Sequence, residues 1–232
     1  MNKLKQNKLV PNQLLRMPNA DKDHSWNEKW SLESHGFDII IHPAKCVFSG
    51  PPGVGKSNLI INLFVRTQES PRPFETVIVI GPKSSKEYNM IDAQIYLTDI
   101  PDDIECIIDE LNGKTLLIID DFEMSKMSNL QKTNLSMLFR YISSHHNISV
   151  FLSYQSFIDI PLIIRKCSDF YCIWKPRNMD EIGILARRTG YNKKTFQNIF
   201  SKFKDKFDFL TIDTKIDVEY ALRKNLYEVI KV

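Results

Sequence analysis

The ten residues from Phe48 to Ser57, FSGPPGVGKS, are those whose types and spacing best suit a chemical function. They fit the pattern G-x-x-x-x-G-K-[ST], in which glycines let the backbone turn tightly and direct its N–H groups toward phosphate oxygens. In such a loop the lysine reaches the β- and γ-phosphates, and the hydroxyl that follows it binds Mg²⁺. The sequence therefore predicts a loop that binds a nucleoside triphosphate through Gly50, Pro51, Pro52, Gly53, Val54, Gly55, Lys56, Ser57 and Asn58.

The segments on either side of this loop have the character that phosphate binding requires. Lys45 to Phe48 is a short run of the length of a buried strand, and residues 58–65 carry apolar side chains at helical spacing without Gly or Pro. A strand followed by a glycine loop and a helix places the partial positive charge of the helix N-terminus at the phosphates. We therefore expect a nucleoside triphosphate as the ligand, bound together with Mg²⁺.

A second pattern is the apolar run at residues 115–119, TLLII, which ends in two acids. A buried strand that ends in a carboxylate is the Walker B pattern, and it predicts that Asp120 holds Mg²⁺ together with Ser57, usually through water. Hydrolysis also needs a positioned water molecule. Asp121 is the first candidate to orient or activate this water, and Glu123 is the second.

Gln155 directly follows another apolar run, residues 148–153. Polar groups at the carboxyl ends of parallel strands gather around the ligand of an open α/β sheet. The amide of Gln155 is therefore predicted to hold the attacking water or to respond to the γ-phosphate.

The order of the predicted elements indicates an α/β fold, that of a P-loop NTPase with a central, mostly parallel sheet flanked by helices. Strand patterns alternate with helical patterns along the chain, and such alternation favours right-handed crossovers between parallel strands. Shorter strands are expected at residues 37–41 and 207–214, and a final helix at 218–232. We predict a basic N-terminal arm over residues 1–35, an ATPase core over 36–178, and an extension of the same domain over 179–232.

The composition of the 232 residues excludes several classes of protein. With 43% apolar and 25% charged residues the chain has enough material for a core, and it has no apolar run of about 18 residues, the length that spans a membrane. No signal-peptide pattern opens the sequence. The four cysteines have no paired spacing, which favours reduced thiols in a cytosolic setting.

Basic residues concentrate between residues 187 and 206. A solvated helix face explains such a run, and so does a surface that follows a phosphate backbone. The net charge of +3 permits an anionic partner without requiring one. The run consists of Arg187, Arg188, Lys193, Lys194, Lys202, Lys204 and Lys206.

The order of these motifs resembles the FtsK–HerA superfamily of P-loop ATPases. The resemblance rests on GPPGVGKS, then LLIIDD, then an arginine-bearing helix that runs into ISVFLSYQS, then a strand and the segment Lys-Pro-Arg-Asn, and it covers about residues 45–174. Within the superfamily, the chain is most similar to the genome-packaging ATPases of nucleocytoplasmic large DNA viruses, virophages and related double-jelly-roll viruses. Many relatives have Asp-Glu where this chain has Asp120-Asp121, which leaves the identity of the catalytic base open.

The resemblance implies an ATPase that forms a homo-oligomeric ring and drives double-stranded DNA, without sequence specificity, into a preformed capsid. It also implies capsid proteins as partners, and a place in the host cytoplasm at the site of virus assembly and in the virion. An arginine near the end of the helix that precedes the Gln strand acts on the neighbour's nucleotide in this superfamily. Arg140 matches that position, Arg165 is the second candidate, and residues 83–86 and 125–132 are candidate DNA-facing loops.

Other functions share part of this pattern. A nucleoside or nucleotide kinase also has a P-loop, and Arg187-Arg188 would imitate its lid, but the Asp-Asp strand and Gln155 suit hydrolysis better. A nucleotide switch is a further alternative, although the segment Asn192-Lys193-Lys194-Thr195 lacks the acid of a guanine-specific motif. Another DNA pump of the same superfamily, in plasmid transfer, chromosome pumping or replication, is the strongest rival.

Overall fold

The computed structural model describes residues 40–70, 73–81, 88, 91–109, 111, 113–120, 126–216 and 218–231. The strands in these ranges are β1 (Lys45–Ser49), β2 (Thr76–Ile80), β3 (Ile95–Leu97), β4 (Thr115–Ile119), β5 (Ile148–Tyr154), β6 (Phe170–Trp174), β7 (Phe209–Asp213), β8 (Leu222–Lys224) and β9 (Glu228–Val229). The helices are α1 (Lys56–Gln68), α2 (Ile104–Asp109), α3 (Asn129–Met137), α4 (Ser143–His145), α5 (Leu162–Cys167), α6 (Met179–Thr189), α7 (Lys193–Ser201) and α8 (Val218–Ala221).

These strands form one sheet in the order β3-β2-β4-β5-β1-β6-β7-β8-β9. The strands from β3 to β6 in this order are parallel, and β7, β8 and β9 continue the sheet antiparallel. The predicted α/β fold with a mostly parallel sheet is therefore confirmed. Strand β1 lies at the centre, and β5 separates it from β4, so the two strands that carry the predicted phosphate and Mg²⁺ residues are not direct neighbours.

Both faces of the sheet are covered by helices, which explains why β2 and β4 are continuous apolar runs. On one face, Ile60 and Phe64 of α1 pack into a cluster with Phe48 and Ile118. On the other face, a larger cluster joins the sheet to α3 and to α5, α6 and α7. Burial on both sides fixes the position of β1, and therefore of the loop that follows it.

The helix between β4 and β5 is not a regular α-helix along its whole length. Helix α3 passes into a π-helical segment, Leu138–Ile142, and continues as α4. Leu138, Phe139 and Ile142 face the core, whereas Arg140 is exposed. π-Helical turns inside α-helices are frequent at functional sites.

The final helix predicted at residues 218–232 is wrong. Helix α8 ends at Ala221, and the chain then forms the β8–β9 hairpin. Asn225 has a positive φ of 53°, which interrupts a helix and suits a tight turn. The prediction failed because β8 pairs with the free edge of β7, a partner that local sequence cannot reveal.

Two further expectations concern the start of the chain and membranes. The arm predicted at residues 1–35 lies outside the described residues, and so do residues 37–39 of the strand predicted at 37–41. The last two residues of that predicted strand, Ile40 and Ile41, are described and are not in a strand.

None of the helices in the described ranges has the length and apolar character needed to cross a bilayer.

Candidate nucleotide-binding site

The loop between β1 and α1 has the backbone conformation of a phosphate-binding loop. Gly53 and Gly55 have φ values of 74° and 93°, a left-handed region that residues with a Cβ rarely adopt. Helix α1 begins after Gly55 with no side-chain cap and no acid in its first turn. Its first N–H groups therefore point to the loop with their partial positive charge uncompensated by a local carboxylate, which favours an anion.

The first glycine of the loop is fixed by close contact with the sheet. A Cβ on Gly50 would lie 2.6 Å from Cβ of Trp174 at the end of β6, so no larger residue fits. The Gly50 N–H also donates to the Tyr154 carbonyl at the end of β5, at 3.1 Å. The loop is thus attached to both strands that flank β1.

Lys56 folds back over this loop. Its ammonium Nζ donates to the carbonyl oxygens of Gly50 at 2.8 Å and Pro51 at 3.1 Å. The ammonium charge is therefore held at the loop.

Ser57 and Asp120 meet beneath the loop although 63 positions separate them in sequence. Ser57 Oγ donates to Asp120 Oδ2 at 3.0 Å, and Tyr88 donates its hydroxyl to the same oxygen at 2.7 Å. Asp120 is buried, with 5% of its surface exposed. A buried carboxylate beside a hydroxyl is a hard oxygen donor set of the kind that Mg²⁺ prefers, so these residues fit the ion that the fold implies.

Ser153 adds a second hydroxyl at the same edge of the sheet. In the β4–β5 register Ile119 pairs with Leu152, so the next residues, Asp120 and Ser153, lie side by side, and strand alternation directs both toward α1. Ser153 is fully buried, and its Oγ has no hydrogen-bond partner in the part of the chain that the structure describes. Because an unsatisfied buried hydroxyl costs about 1–3 kcal/mol, its place next to Asp120 suits a site completed by a hydrated ion.

Gln155 shares a cavity with the phosphate-binding loop. The cavity has a volume of about 240 Å³ and is lined by Gly50, Pro51 and Pro52 on one side and by Gln155 and Glu181 on another. Glu181 accepts hydrogen bonds from the Ser156 hydroxyl at 3.2 Å and the Phe157 N–H at 3.1 Å, and thereby holds the turn after Gln155. The predicted neighbourhood of Gln155 and the loop is present in the structure.

The two candidate arginines have different surroundings. Arg140 is exposed and forms no side-chain hydrogen bond or ion pair with the described residues. Arg165 donates from Nε to the Ile160 carbonyl at 2.8 Å and lies over the ring of Phe157, and burial lowers the pKa of its guanidinium. Arg140 belongs to the helix on the face of the sheet opposite to α1, about 16 Å along that helix from its first residue, Asn129.

Several predicted residues lie outside the described part of the chain. These are Asp121 and Glu123, the loop at residues 83–86, and Ser125 at the start of the second loop. In the remainder of that second loop, Ser128 caps α3 through a reciprocal capping box with Gln131. The role of a water-activating carboxylate stays a prediction.

The structure adds two residues that sequence analysis missed. The sequence around Tyr88 has no recognisable pattern, so nothing local predicted its contact with Asp120. Ser153 had a visible signal, since it is a polar residue within the apolar strand ISVFLSY, but a hydroxyl in a strand is common without any function.

A second cavity, of about 610 Å³, is larger than the one that contains Gln155. It lies along α6 and the start of α7, and the phosphate-binding loop does not line it.

The basic run at residues 187–206 is largely exposed. Arg188 is the exception, because its guanidinium donates to the carbonyl oxygens of Arg165 and Lys166. The exposed members are Arg187, Lys193, Lys194, Lys202, Lys204 and Lys206.

Comparison with known proteins identifies the fold. No protein-family model and no curated protein matches the sequence. Among solved structures, the genome packaging NTPase B204 from Sulfolobus turreted icosahedral virus 2, in complex with AMPPCP, is 19% identical with a TM-score of 0.56, over 75% of this chain and 93% of that one. The conjugation coupling protein TcpA of pCW3, with ATPγS, is 12% identical with a TM-score of 0.58, over 81% and 60%.

A third similar structure is EssC (ATPases 2 and 3) from Geobacillus thermodenitrificans, which is 12% identical with a TM-score of 0.58, over 88% of this chain and 40% of that one. At these identities the likeness shows the fold. The predicted fold of a P-loop NTPase is confirmed, and the solved structures that share it include a viral genome packaging NTPase and a conjugation coupling protein.

Proposed function

Starting from the fold that the chain shares with P-loop ATPases, we propose that it is an ATP-hydrolysing motor that moves double-stranded DNA into a preformed viral capsid. The contact of Ser57 with Asp120 beneath the phosphate loop carries the proposal. This contact joins the two predicted motifs in one place, and Gln155 lies beside the same loop at the end of the strand between them.

The loop and the N-terminus of α1 bind the phosphates of ATP. The N–H groups from Gly53 to Asn58 face the phosphate oxygens, and Lys56 exchanges its bonds with the Gly50 and Pro51 carbonyls for the β- and γ-phosphates.

Ser57 and Asp120 are the residues that would hold Mg²⁺, with Ser153 and Tyr88 orienting the water and the carboxylate around it. When bound, the ion neutralises charge that develops on the phosphate oxygens. Tyr88 donates to the same carboxylate oxygen as Ser57 and so fixes the rotamer of Asp120.

The attacking water is positioned from the other side of the loop. Gln155 donates to or accepts from this water, and Asp121 orients or activates it, with Glu123 as the alternative base. Hydrolysis to ADP and phosphate follows. Glu181 holds the turn after Gln155, so its role is to position that residue.

Arg140 completes the site of a neighbouring subunit in a homo-oligomeric ring. Its exposure and its place on the face away from α1 support action on another chain, and the bonds of Arg165 within its own chain make Arg165 the weaker candidate. An arginine supplied by a neighbour couples each hydrolysis event to correct assembly of the ring.

DNA binding depends on basic side chains that contact phosphates and read no bases. The exposed lysines between residues 193 and 206 supply part of this charge. The similar viral structures are of a genome packaging NTPase, which supports genome packaging as the task. Capsid proteins as partners, and the host cytoplasm and the virion as locations, belong to the same proposal.

A second candidate function is another DNA pump of the same fold. The similarity to a conjugation coupling protein supports this alternative, because that protein has the same fold in a different transfer process. DNA should stimulate ATP hydrolysis by a packaging motor and by another DNA pump alike. Only the packaging motor should depend on an assembled capsid.

The proposal is tested by measuring ATP hydrolysis with and without double-stranded DNA, alongside mass determination with a non-hydrolysable nucleotide. We expect turnover that DNA stimulates and a ring that nucleotide stabilises. The Lys56→Ala variant is the control for contaminating ATPases. A protein that stays monomeric with saturating nucleotide and duplex, and hydrolyses at a rate indifferent to both its own concentration and DNA, contradicts the motor.

A further inference from the structure

An exposed aromatic ring lies directly beside the phosphate-binding loop. Phe207, in the turn between α7 and β7, has 52% of its surface exposed. A Cβ built on Gly55 would lie 3.6 Å from Cδ1 of its ring. Phosphate binding, the ion site and Gln155 use none of this apolar surface.

The turn that carries Phe207 is held in place by its own hydrogen bonds. The Asp208 carboxylate accepts the N–H groups of Lys204 and Asp205, both at 3.2 Å, and forms an ion pair with Lys224 at 3.1 Å. The Asp205 carboxylate accepts the N–H of Phe207 itself at 3.0 Å. The ring is therefore presented at a defined position, which reduces the entropy that a ligand must overcome to order it.

The ring lies at one end of the loop, and the hydrolytic groups lie at the other. Pro51 and Pro52 line the cavity that contains Gln155, whereas Gly55 at the start of α1 is the residue next to Phe207. A triphosphate extended along the loop places its γ-phosphate near the water-positioning groups. The nucleoside then extends from the opposite end, toward Phe207.

The sheet explains how a residue so late in the chain reaches this place. Strand β7 is antiparallel to β6, so Phe209 pairs with Trp174 at the edge where the phosphate loop leaves the sheet. The rings of Trp174 and Phe209 lie 4.9 Å apart. The turn before Phe209 therefore projects beyond that edge, beside the loop.

We propose that Phe207 is the surface on which the base of the bound nucleotide stacks. The Lys206 ammonium lies 4.7 Å from the centroid of the ring, and the base stacks on the face that the ammonium does not occupy. Stacking recognises the π-face that every base has, so this contact accepts purine nucleoside triphosphates without discriminating strongly between adenine and guanine. This inference rests on the proposed binding of nucleoside triphosphate at the same loop.

The test compares ligands with and without a base. Phe207→Ala should weaken ATP and GTP binding about tenfold, in the range of stacking contacts removed by alanine, and should leave the affinity for inorganic triphosphate unchanged. Val218→Ala is the matched control, since Val218 is an exposed apolar residue that follows β7 at the opposite edge of the sheet. Its affinities for all three ligands should equal those of the wild type.

A second variant shows whether a loss of binding in Phe207→Ala comes from the missing ring or from misfolding. Phe207→Trp retains the stacking surface, should keep wild-type affinity for ATP, and should show fluorescence quenching with ATP but not with inorganic triphosphate. Equal loss of ATP and triphosphate binding in Phe207→Ala, or no loss of either, overturns the proposed role of Phe207. A wild-type protein that binds neither ligand removes the proposed function itself, so the two failures are distinguishable.

Discussion

The location of Arg140 predicts that two inactive variants restore each other's activity when mixed. Arg140→Ala keeps the phosphate loop and Asp120 but lacks the arginine, whereas Asp120→Asn keeps the arginine but lacks the carboxylate that faces Ser57. A trans arginine contributes about 10³ to 10⁵ in rate, so Arg140→Ala alone should hydrolyse ATP at less than about a thousandth of the wild-type rate. Asp120→Asn alone should also be inactive, because it lacks the carboxylate proposed to hold Mg²⁺. Arg140→Ala should still bind ATP with near-normal affinity.

The size of the restoration follows from the geometry of the shared interface. A productive interface needs the nucleotide from an Arg140→Ala subunit and the arginine from an Asp120→Asn neighbour. In a random, equal mixture that combination occurs at about one quarter of interfaces, whatever the number of subunits, because each of the two conditions is met half the time. Interfaces that act independently therefore give about a quarter of the wild-type rate.

The assay measures phosphate release after the two variants have exchanged subunits, with native mass measurements to establish mixed rings. Arg165→Ala mixed with Asp120→Asn is the matched comparison, and Arg187→Ala, another exposed arginine, should be active alone. If mixed rings form and the rate remains the sum of the two separate rates, action in trans by Arg140 is refuted. If the Arg165→Ala mixture recovers a quarter instead, the role belongs to Arg165.

Three further predictions concern the phosphate loop, the stability of the fold and DNA. Lys56→Ala should abolish ATP turnover, because the ammonium at the loop is lost; normal hydrolysis would remove the phosphate-loop assignment. Burial, with help from Lys114, lowers the pKa of His42 from 6.5 to about 3, so below pH 6.5 the unfolded state binds a proton that the folded state does not. As the pH is lowered from 6 to 4, the free energy of unfolding should therefore fall by about 1.4 kcal/mol per pH unit. Denaturant titrations at several pH values measure this dependence, and in His42→Gln the free energy of unfolding should change less with pH. DNA affinity should fall steeply with salt and vary little with sequence, and a flat salt response in a binding titration would contradict contacts to the phosphate backbone.

The phosphate loop and the elements on either side of it could be predicted from the amino-acid sequence. A strand, a glycine loop and a helix are contiguous along the chain, so their geometry follows from local preferences of residues 45–68. The alternation of strands and helices was sufficient for the α/β class, because buried parallel strands carry apolar runs that are recognisable in isolation. The same local reasoning failed at residues 222–229, where the β8–β9 hairpin forms by pairing with β7.

The groups that meet at the site from distant parts of the chain could not be predicted in this way. Tyr88 and Ser57 converge on Asp120, and Phe207 lies beside Gly55 from a position near the other end of the chain. Such contacts depend on strand order, since β5 and β6 flank β1 and β7 is added outside β6. Strand order is set by burial of both faces of the sheet and by pairing between strands that are far apart in sequence. A local sequence pattern shows neither which strands pair nor what covers each face of the sheet.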